Sequence, residues 1–302
     1  MRHSIVLIAL HRLALLSLLL VVSTASLAET KDYTITAPDG VTIAVQESGD
    51  PDGQPVILIH GLLGSHLSWE AQVRSPELQG YRLITYDLRG HGLSGKPGEA
   101  EAYTDGRRWA DELAAVISAS NAHNPVLVGW SLGAAVITNY LAAYGDDRIA
   151  GALYVGGVIE LQPDQIVAHP EVYQGLGSPD LRTHLDAERA FLALCFQTQP
   201  DAATFQRLLA NAALASPTMQ DAVPSMTISI AEGLGAARKP MLLLYGAQDA
   251  LVQPEPSVAR AEVLNSHIRS RMYSESGHAP FLEEVDRFNR DLSVFVDEVT
   301  QP

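Results

Sequence analysis

Gly129-Trp130-Ser131-Leu132-Gly133 decides how this chain is read, because it joins two patterns that belong together. Ahead of it runs Val126-Leu127-Val128, short, apolar and β-branched, as a buried strand requires. Behind it, Leu132 to Tyr144 is Ala-rich and apolar at helical spacing. The pentapeptide fits G-x-S-x-G, a sharp strand-to-helix turn that presents a serine hydroxyl as a nucleophile. Glycine suits positions 129 and 133 because the backbone crowds there and leaves no room for a Cβ. Glycines and serines also meet by chance in a long chain, so the weight of this match depends on what accompanies it.

Two later segments accompany it. Tyr245-Gly246-Ala247-Gln248-Asp249 follows the apolar run Met241-Leu242-Leu243-Leu244, which places Asp249 at the carboxyl end of a parallel strand. Ser276-Gly277-His278-Ala279-Pro280 follows the strand-like Arg271-Met272-Tyr273-Ser274 and precedes a helical stretch. Catalytic groups collect at strand carboxyl ends in open α/β sheets. A serine, a histidine and an acid in that setting form a nucleophile, a base and an orienting carboxylate. The order Ser131, Asp249, His278 is neither that of chymotrypsin nor that of subtilisin. Glu160, just past the sixth strand, competes with Asp249 for the acid role, whereas Asp146 and Asp147 read as helix-end surface residues.

With these residues in place, the chain from about Tyr33 to Val299 resembles a lid-bearing member of the α/β-hydrolase fold family. Two more segments carry the resemblance. His60-Gly61-Leu62-Leu63-Gly64 follows the strand Val56–Ile59, where the family keeps its oxyanion loop. Asp87-Leu88-Arg89-Gly90-His91-Gly92-Leu93-Ser94 follows Arg82–Tyr86 and matches the family's D-x-R-G-x-G-x-S turn. Gly-Trp-Ser-Leu-Gly together with His-Ala-Pro-Phe is also locally similar to pimeloyl-carrier-protein methyl ester esterases. The resemblance implies a Ser131-Asp249-His278 triad and oxyanion donors at the backbone N–H groups of Leu62 and Leu132. His60 reads as structural, its ring hydrogen-bonding backbone to hold the oxyanion loop. Asp87, Arg89 and His91 read as a turn-stabilising set. Trp130 is assigned to packing or to the substrate pocket, and Phe191, Phe196 and Phe205 to lid core or substrate contacts.

The amino terminus suggests where the protein works. Arg2, His3, His11 and Arg12 precede the apolar run Leu13 to Val22 and the small-residue site Ser26-Leu27-Ala28. This pattern predicts a signal peptide over residues 1–28, cleaved after Ala28, and a protein that is exported, periplasmic or secreted. The apolar run is about half the roughly 20 residues that span a bilayer, so no stable membrane anchor is expected. The formal charge of −15 becomes −17 once Arg2 and Arg12 leave with that segment. Such a charge disfavours nucleic acid and anionic membrane surfaces. Cys195 is the single cysteine, set in the apolar Phe191–Phe196, and reads as a small buried thiol.

Organisation follows from the strand and helix rhythm. Tyr33–Ile35 and Thr42–Val45 flank Pro38-Asp39-Gly40, a hairpin signal. Strands at Val56–Ile59, Arg82–Tyr86, Val126–Val128 and Ala152–Val155 alternate with helical stretches near His66–Val73 and Tyr103–Ala119. The alternation argues for an α/β fold with a mostly parallel central sheet flanked by helices. Between the sixth and seventh strands the rhythm breaks, and two helical stretches appear near Asp186–Gln197 and Ala202–Ala215. Residues 157–239 are read as an inserted helical lid, with 29–156 and 240–302 as the hydrolase core.

These readings predict an exported serine hydrolase that cleaves carboxylic esters through an acyl-enzyme, with a small-molecule ester as its partner. No cofactor or metal is expected: H-E-x-x-H and paired cysteines are absent, and Gly233-Leu234-Gly235-Ala236-Ala237-Arg238 lacks the third glycine of a dinucleotide loop. Leu62-Leu63 stands where H-G-G-G esterases carry glycines, which argues against bulky tertiary-alcohol esters. Perhydrolase, haloperoxidase or lactonase chemistry on the same triad is the alternative enzyme reading. A catalytically idle binding protein of the same fold is the alternative of a different class.

Overall fold

The apolar runs form one sheet. In the computed structural model, which describes residues 30–301, eight strands are ordered β1-β2-β4-β3-β5-β6-β7-β8. The strands are β1 (Lys31–Thr36), β2 (Thr42–Gly49), β3 (Pro55–Ile59), β4 (Arg82–Tyr86), β5 (Val126–Trp130), β6 (Gly151–Val155), β7 (Met241–Gly246) and β8 (Arg269–Tyr273). β1 pairs antiparallel with β2, and β2 antiparallel with β4; every other pairing is parallel. The expected signal peptide lies outside the described residues.

The predicted hairpin closes through Ala37 N–H donating to Val41 O at 2.8 Å, with Gly40 in the left-handed region at φ 88°. All residues of β5, β6 and β7 are buried, as strands covered by helices on both faces must be, which is why they read as unbroken apolar runs. β8 is an edge strand, exposed at every position but Tyr273, and its Arg269 and Arg271 discourage pairing with another chain. It also begins two residues earlier than its sequence suggests.

The helices are α1 (Glu70–Val73), α2 (Glu101–Thr104), α3 (Gly106–Ala119), α4 (Leu132–Tyr144), α5 (Pro170–Leu176), α6 (Leu181–Leu194), α7 (Ala202–Ala212), α8 (Pro217–Ala222), α9 (Pro254–Leu264), α10 (Pro280–Glu283) and α11 (Val285–Thr300). The stretch read as one helix over Tyr103–Ala119 is broken at Asp105, whose side chain accepts from Arg107 N–H and caps α3. Between β6 and β7 lie α5 to α8, four helices rather than two. α5 and α8 are too short to show a helical period, and each begins with a proline, Pro170 and Pro217, at a helix start where a missing N–H costs nothing. α6 starts at Leu181, because the Asp180 side chain accepts from Thr183 N–H.

Register then positions the site. Trp130 is paired with Val155 and Gly246 with Tyr273, so β5 to β8 end along one edge of the sheet. Ser131, Gly156, Asp249 and His278 all lie within a few residues beyond those ends. Behind the edge, α4 is buried along Leu132 to Leu141. It approaches the sheet so closely that a Cβ on Gly133 would lie 2.5 Å from Ile59 O. Among the described residues, no helix is long and apolar enough to cross a membrane.

Candidate active site

Ser131 sits on a strained turn. Its φ and ψ are 53° and −113°, a region costly for a residue with a side chain, on the order of 1–3 kcal/mol. The neighbours hold it there. Ser131 N–H donates to Val155 O at 2.9 Å, and its carbonyl accepts from Ala134 N–H at 3.0 Å and Val158 N–H at 3.1 Å. A Cβ on Gly129 would meet Gly133 backbone at 2.6 Å, so both glycines of the motif are required by close approach.

Asp249 and His278 meet beside it. His278 Nδ1 lies 2.7 Å from Asp249 Oδ2, while Asp249 Oδ1 accepts from Leu251 N–H at 2.8 Å and Val252 N–H at 2.9 Å. A carboxylate can only accept, so Nδ1 carries the proton and Nε2 keeps its lone pair. Nε2 is buried and, among the described residues, has no hydrogen-bond partner, Ser131 Oγ included. The ring is packed from two sides. A Cβ on Gly156 would lie 3.0 Å from Nδ1, and the Trp130 ring centroid is 5.7 Å from that of His278. Gly277 N–H donates to Glu283 Oε1 at 2.8 Å and Trp130 Nε1 donates to His278 O at 2.8 Å, pinning the loop before and at the histidine.

The competing acid is committed elsewhere. Glu160 accepts from Arg260 at 2.8 and 2.9 Å and from Gln165 Nε2 at 3.0 Å, and makes no contact with His278. Asp146 is not the surface residue its sequence suggests. It is buried and accepts from the backbone N–H groups of Arg238 and Lys239, fastening the start of the return to β7. Cys195 is buried with Sγ 3.5 Å from Phe191 O, and burial pushes its thiol pKa up, away from a nucleophile.

Leu62 and Leu132 carry the two backbone donors expected from the sequence. Leu132 N–H opens α4 and Leu62 N–H follows Gly61, and neither donates to another protein group among the described residues. Both residues border the same cavity as Ser131. His60 braces this loop: its Nδ1 is 2.8 Å from Gly61 O and its Nε2 accepts from Leu88 N–H at 2.9 Å. Full burial lowers the His60 pKa to about 4, so the ring is neutral. His91, 4.9 Å away ring to ring, is lowered to about 3, chiefly by burial. Burial alone would raise the Asp87 carboxyl, but hydrogen bonds from His66 and from Leu93 N–H hold it at about 2. Arg89, wholly buried, bonds Glu112 at 2.8 Å and Asp39 at 2.7 Å. This set stabilises the turn without touching the cavity.

The cavity over Ser131 has a volume of about 440 Å³ and mostly apolar walls. The core contributes Leu62, Leu132 and Leu251, while the segment between β6 and β7 contributes Tyr173, Phe191 and Met226. Trp130 is corrected here: it does not border this cavity, because its indole turns to Phe281, 5.0 Å between centroids, and to His278. Of the three segment phenylalanines, Phe191 lines the cavity, Phe196 borders a small void beside Trp130, and Phe205 carries Arg189 over its ring. Sequence reasoning missed Tyr173, Gln220 and Met226 as cavity residues, since no local pattern distinguishes them from core. Among the described residues, no group of three or more His, Cys, Asp or Glu could hold a metal ion.

Comparison with known proteins agrees with this fold. Residues 54–285 match the family described as alpha/beta hydrolase fold, and the chain belongs to that family. A solved structure described as a "putative aryl esterase" from Burkholderia cenocepacia is 70% identical, with a TM-score of 0.89, covering 89% of this chain and 99% of that one. The esterase RhEst1 from Rhodococcus sp. ECU1013 is 30% identical, with a TM-score of 0.78 and coverage of 89% and 99%. A non-heme haloperoxidase of Rhodococcus erythropolis is 26% identical over 276 residues, covering 87% of this chain and 98% of that protein.

Proposed function

We propose that this protein is a serine hydrolase that cleaves carboxylic esters through an acyl-enzyme. The observation that carries the reading is the strained Ser131 turn beside the His278–Asp249 pair, beneath an apolar cavity. Ser131 Oγ attacks the ester carbonyl while His278 Nε2 takes its proton, and Asp249 stabilises the imidazolium. The tetrahedral oxyanion is received by the N–H groups of Leu62 and Leu132, each such donor worth about 3–4 kcal/mol in the transition state. The α4 dipole adds favourable charge at the same point. His278 then protonates the departing alcohol, and water repeats the attack on the acyl-enzyme. Helices α5 to α8 act as the lid, supported by their share of the cavity wall.

Treatment with a fluorophosphonate, mapping of the labelled residue and assay on p-nitrophenyl esters from acetate to palmitate test this. Labelling of Ser131 with ester turnover supports it; folded protein that neither labels nor hydrolyses any ester makes it a binding protein of hydrolase fold. A second reading, in which hydrogen peroxide replaces water as acyl acceptor to give a peracid, is favoured by the haloperoxidase relatives. It is also favoured by the 25% identity to a bifunctional esterase/perhydrolase of Acinetobacter calcoaceticus. Peracid formation from acetate and peroxide, measured against ester hydrolysis, separates the two. Export is part of the proposal: amino-terminal sequencing of the protein from a periplasmic or secreted fraction should begin at Glu29.

A further inference from the structure

A relay of amides runs from the segment between β6 and β7 to the backbone of Leu62. Asn211, near the end of α7, is 6% exposed, and its Nδ2 donates to Leu63 O at 3.2 Å. A carbonyl oxygen only accepts, so the nitrogen end of the side chain must face it. Leu63 O shares a planar peptide with Gly64 N–H, which donates to Gly61 O at 3.0 Å. Gly61 O in turn shares a peptide with Leu62 N–H. Both peptides are trans, so carbonyl and N–H point opposite ways across each. The three amides therefore donate in one direction, from α7 toward Leu62. A Cβ on Gly61 would lie 3.0 Å from Ser131 Cβ, which puts the last peptide directly against the serine.

The middle of the relay is strained. Gly61 to Gly64 is a β-turn whose third residue, Leu63, has φ 61°, a region where such turns favour glycine. Relaxing Leu63 to a negative φ would swing the Leu63–Gly64 peptide and withdraw Gly64 N–H from Gly61 O. That carbonyl would then keep only the His60 ring as a donor. The hydrogen bond from Asn211 opposes the rotation, because it fixes Leu63 O. Hydrogen-bonded amides in series also polarise one another, which strengthens the terminal N–H as a donor. Asn211 borders the small void beside Trp130 and not the cavity over Ser131, so it reaches that cavity only through the loop.

Resting on the ester-hydrolase reading above, we propose that Asn211 is a positioning residue for oxyanion stabilisation. It holds Leu63 O and, through the hydrogen bond between Gly64 and Gly61, aims Leu62 N–H at the charge that develops on the ester oxygen. The effect belongs to the transition state, because that oxygen is a full anion only after attack.

Asn211→Ala and Asn211→Leu, which both remove the donor, test this with p-nitrophenyl butyrate as substrate. In each, kcat should fall about tenfold while KM stays within about twofold. The loss is smaller than the roughly 10²–10³ of deleting an oxyanion donor outright, because His60 still holds Gly61 O. A trifluoromethyl ketone, to which Ser131 Oγ adds to give a tetrahedral oxyanion, should show a Ki raised by the same factor as kcat falls. Arg207 lies on the same helix, pairs with Glu70 and touches no member of the relay, so Arg207→Ala should keep both values. Circular dichroism melts verify folding, and if one Asn211 variant does not fold the other decides. Folded variants with kcat and Ki near wild type overturn the inference, as does a fall in kcat with Ki unmoved. An equal loss in Arg207→Ala also overturns it, since loosening of α7 would then be the cause. In those three outcomes the wild type still hydrolyses the ester, and the hydrolase reading survives. If the wild type hydrolyses no ester, that reading falls and this inference falls with it.

Discussion

Trp130 Nε1 donates to the carbonyl oxygen of His278 at 2.8 Å, so the residue preceding Ser131 holds the backbone of the histidine loop across 148 positions of sequence. The indole was a pocket candidate from its place in the motif. In the fold it is a strut between β5 and the histidine loop, with Phe281 against its other side.

Trp130→Phe should therefore lower kcat by about fivefold, the equivalent of one hydrogen bond of about 1 kcal/mol, while KM for hydrocarbon esters changes little. A pocket role would show the reverse, a raised KM with kcat preserved. Steady-state kinetics on a short and a long p-nitrophenyl ester separate the two outcomes.

Ser131 is strained, and in the proposed mechanism it is also the nucleophile. Ser131→Ala should cost on the order of 10⁶ in kcat with the fold intact. Ser131→Gly should lose the same activity yet raise stability by about 1 kcal/mol, because glycine tolerates φ 53°. Denaturant midpoints of the two variants measure the difference, and equal midpoints would contradict the strain assigned to this turn.

The two acids are distinguished by their partners. Asp249→Asn should drop kcat by about 10⁴, because an amide facing Nδ1 favours the wrong tautomer. Glu160→Gln disturbs a half-exposed ion pair with Arg260 and should leave kcat within about twofold. The larger loss identifies the acid.

Acid should destabilise the fold before it reaches ordinary carboxylates. His60 titrates near 6.5 when unfolded and about 4 when folded, so its contribution is present above pH 6.5 and lost as pH falls toward 4. The loss is roughly 3 kcal/mol from this residue. His91 acts with the same sign down to about pH 3, and Asp87 between its unfolded value of 3.8 and about 2. Urea midpoints across pH 7 to 4 should fall steadily, and a flat profile would mean that His60 is not buried in its neutral form.

Much of the site was legible because its signals are local. Strand, sharp turn and helix around Ser131 leave their mark within about twenty residues, through apolar runs, helical spacing and obligatory glycines. Asp249 and His278 were found by the same rule, each just beyond a strand. The helices between β6 and β7 were harder. α5 and α8 are one to two turns long and begin with proline, so they carry too few residues to show a period.

The sequence by itself determined the order of the strands, the strained serine turn, and which residue types end at the sheet's edge. These depend on backbone sterics and on burial within one element, which a short window of residues encodes. Only the tertiary structure decided that Asp249 rather than Glu160 meets His278, and that Trp130 braces the His278 backbone instead of lining the cavity. Each of those outcomes is a choice of partner between polar groups. Direction and distance make that choice once the chain has packed, and spacing along the chain does not record it.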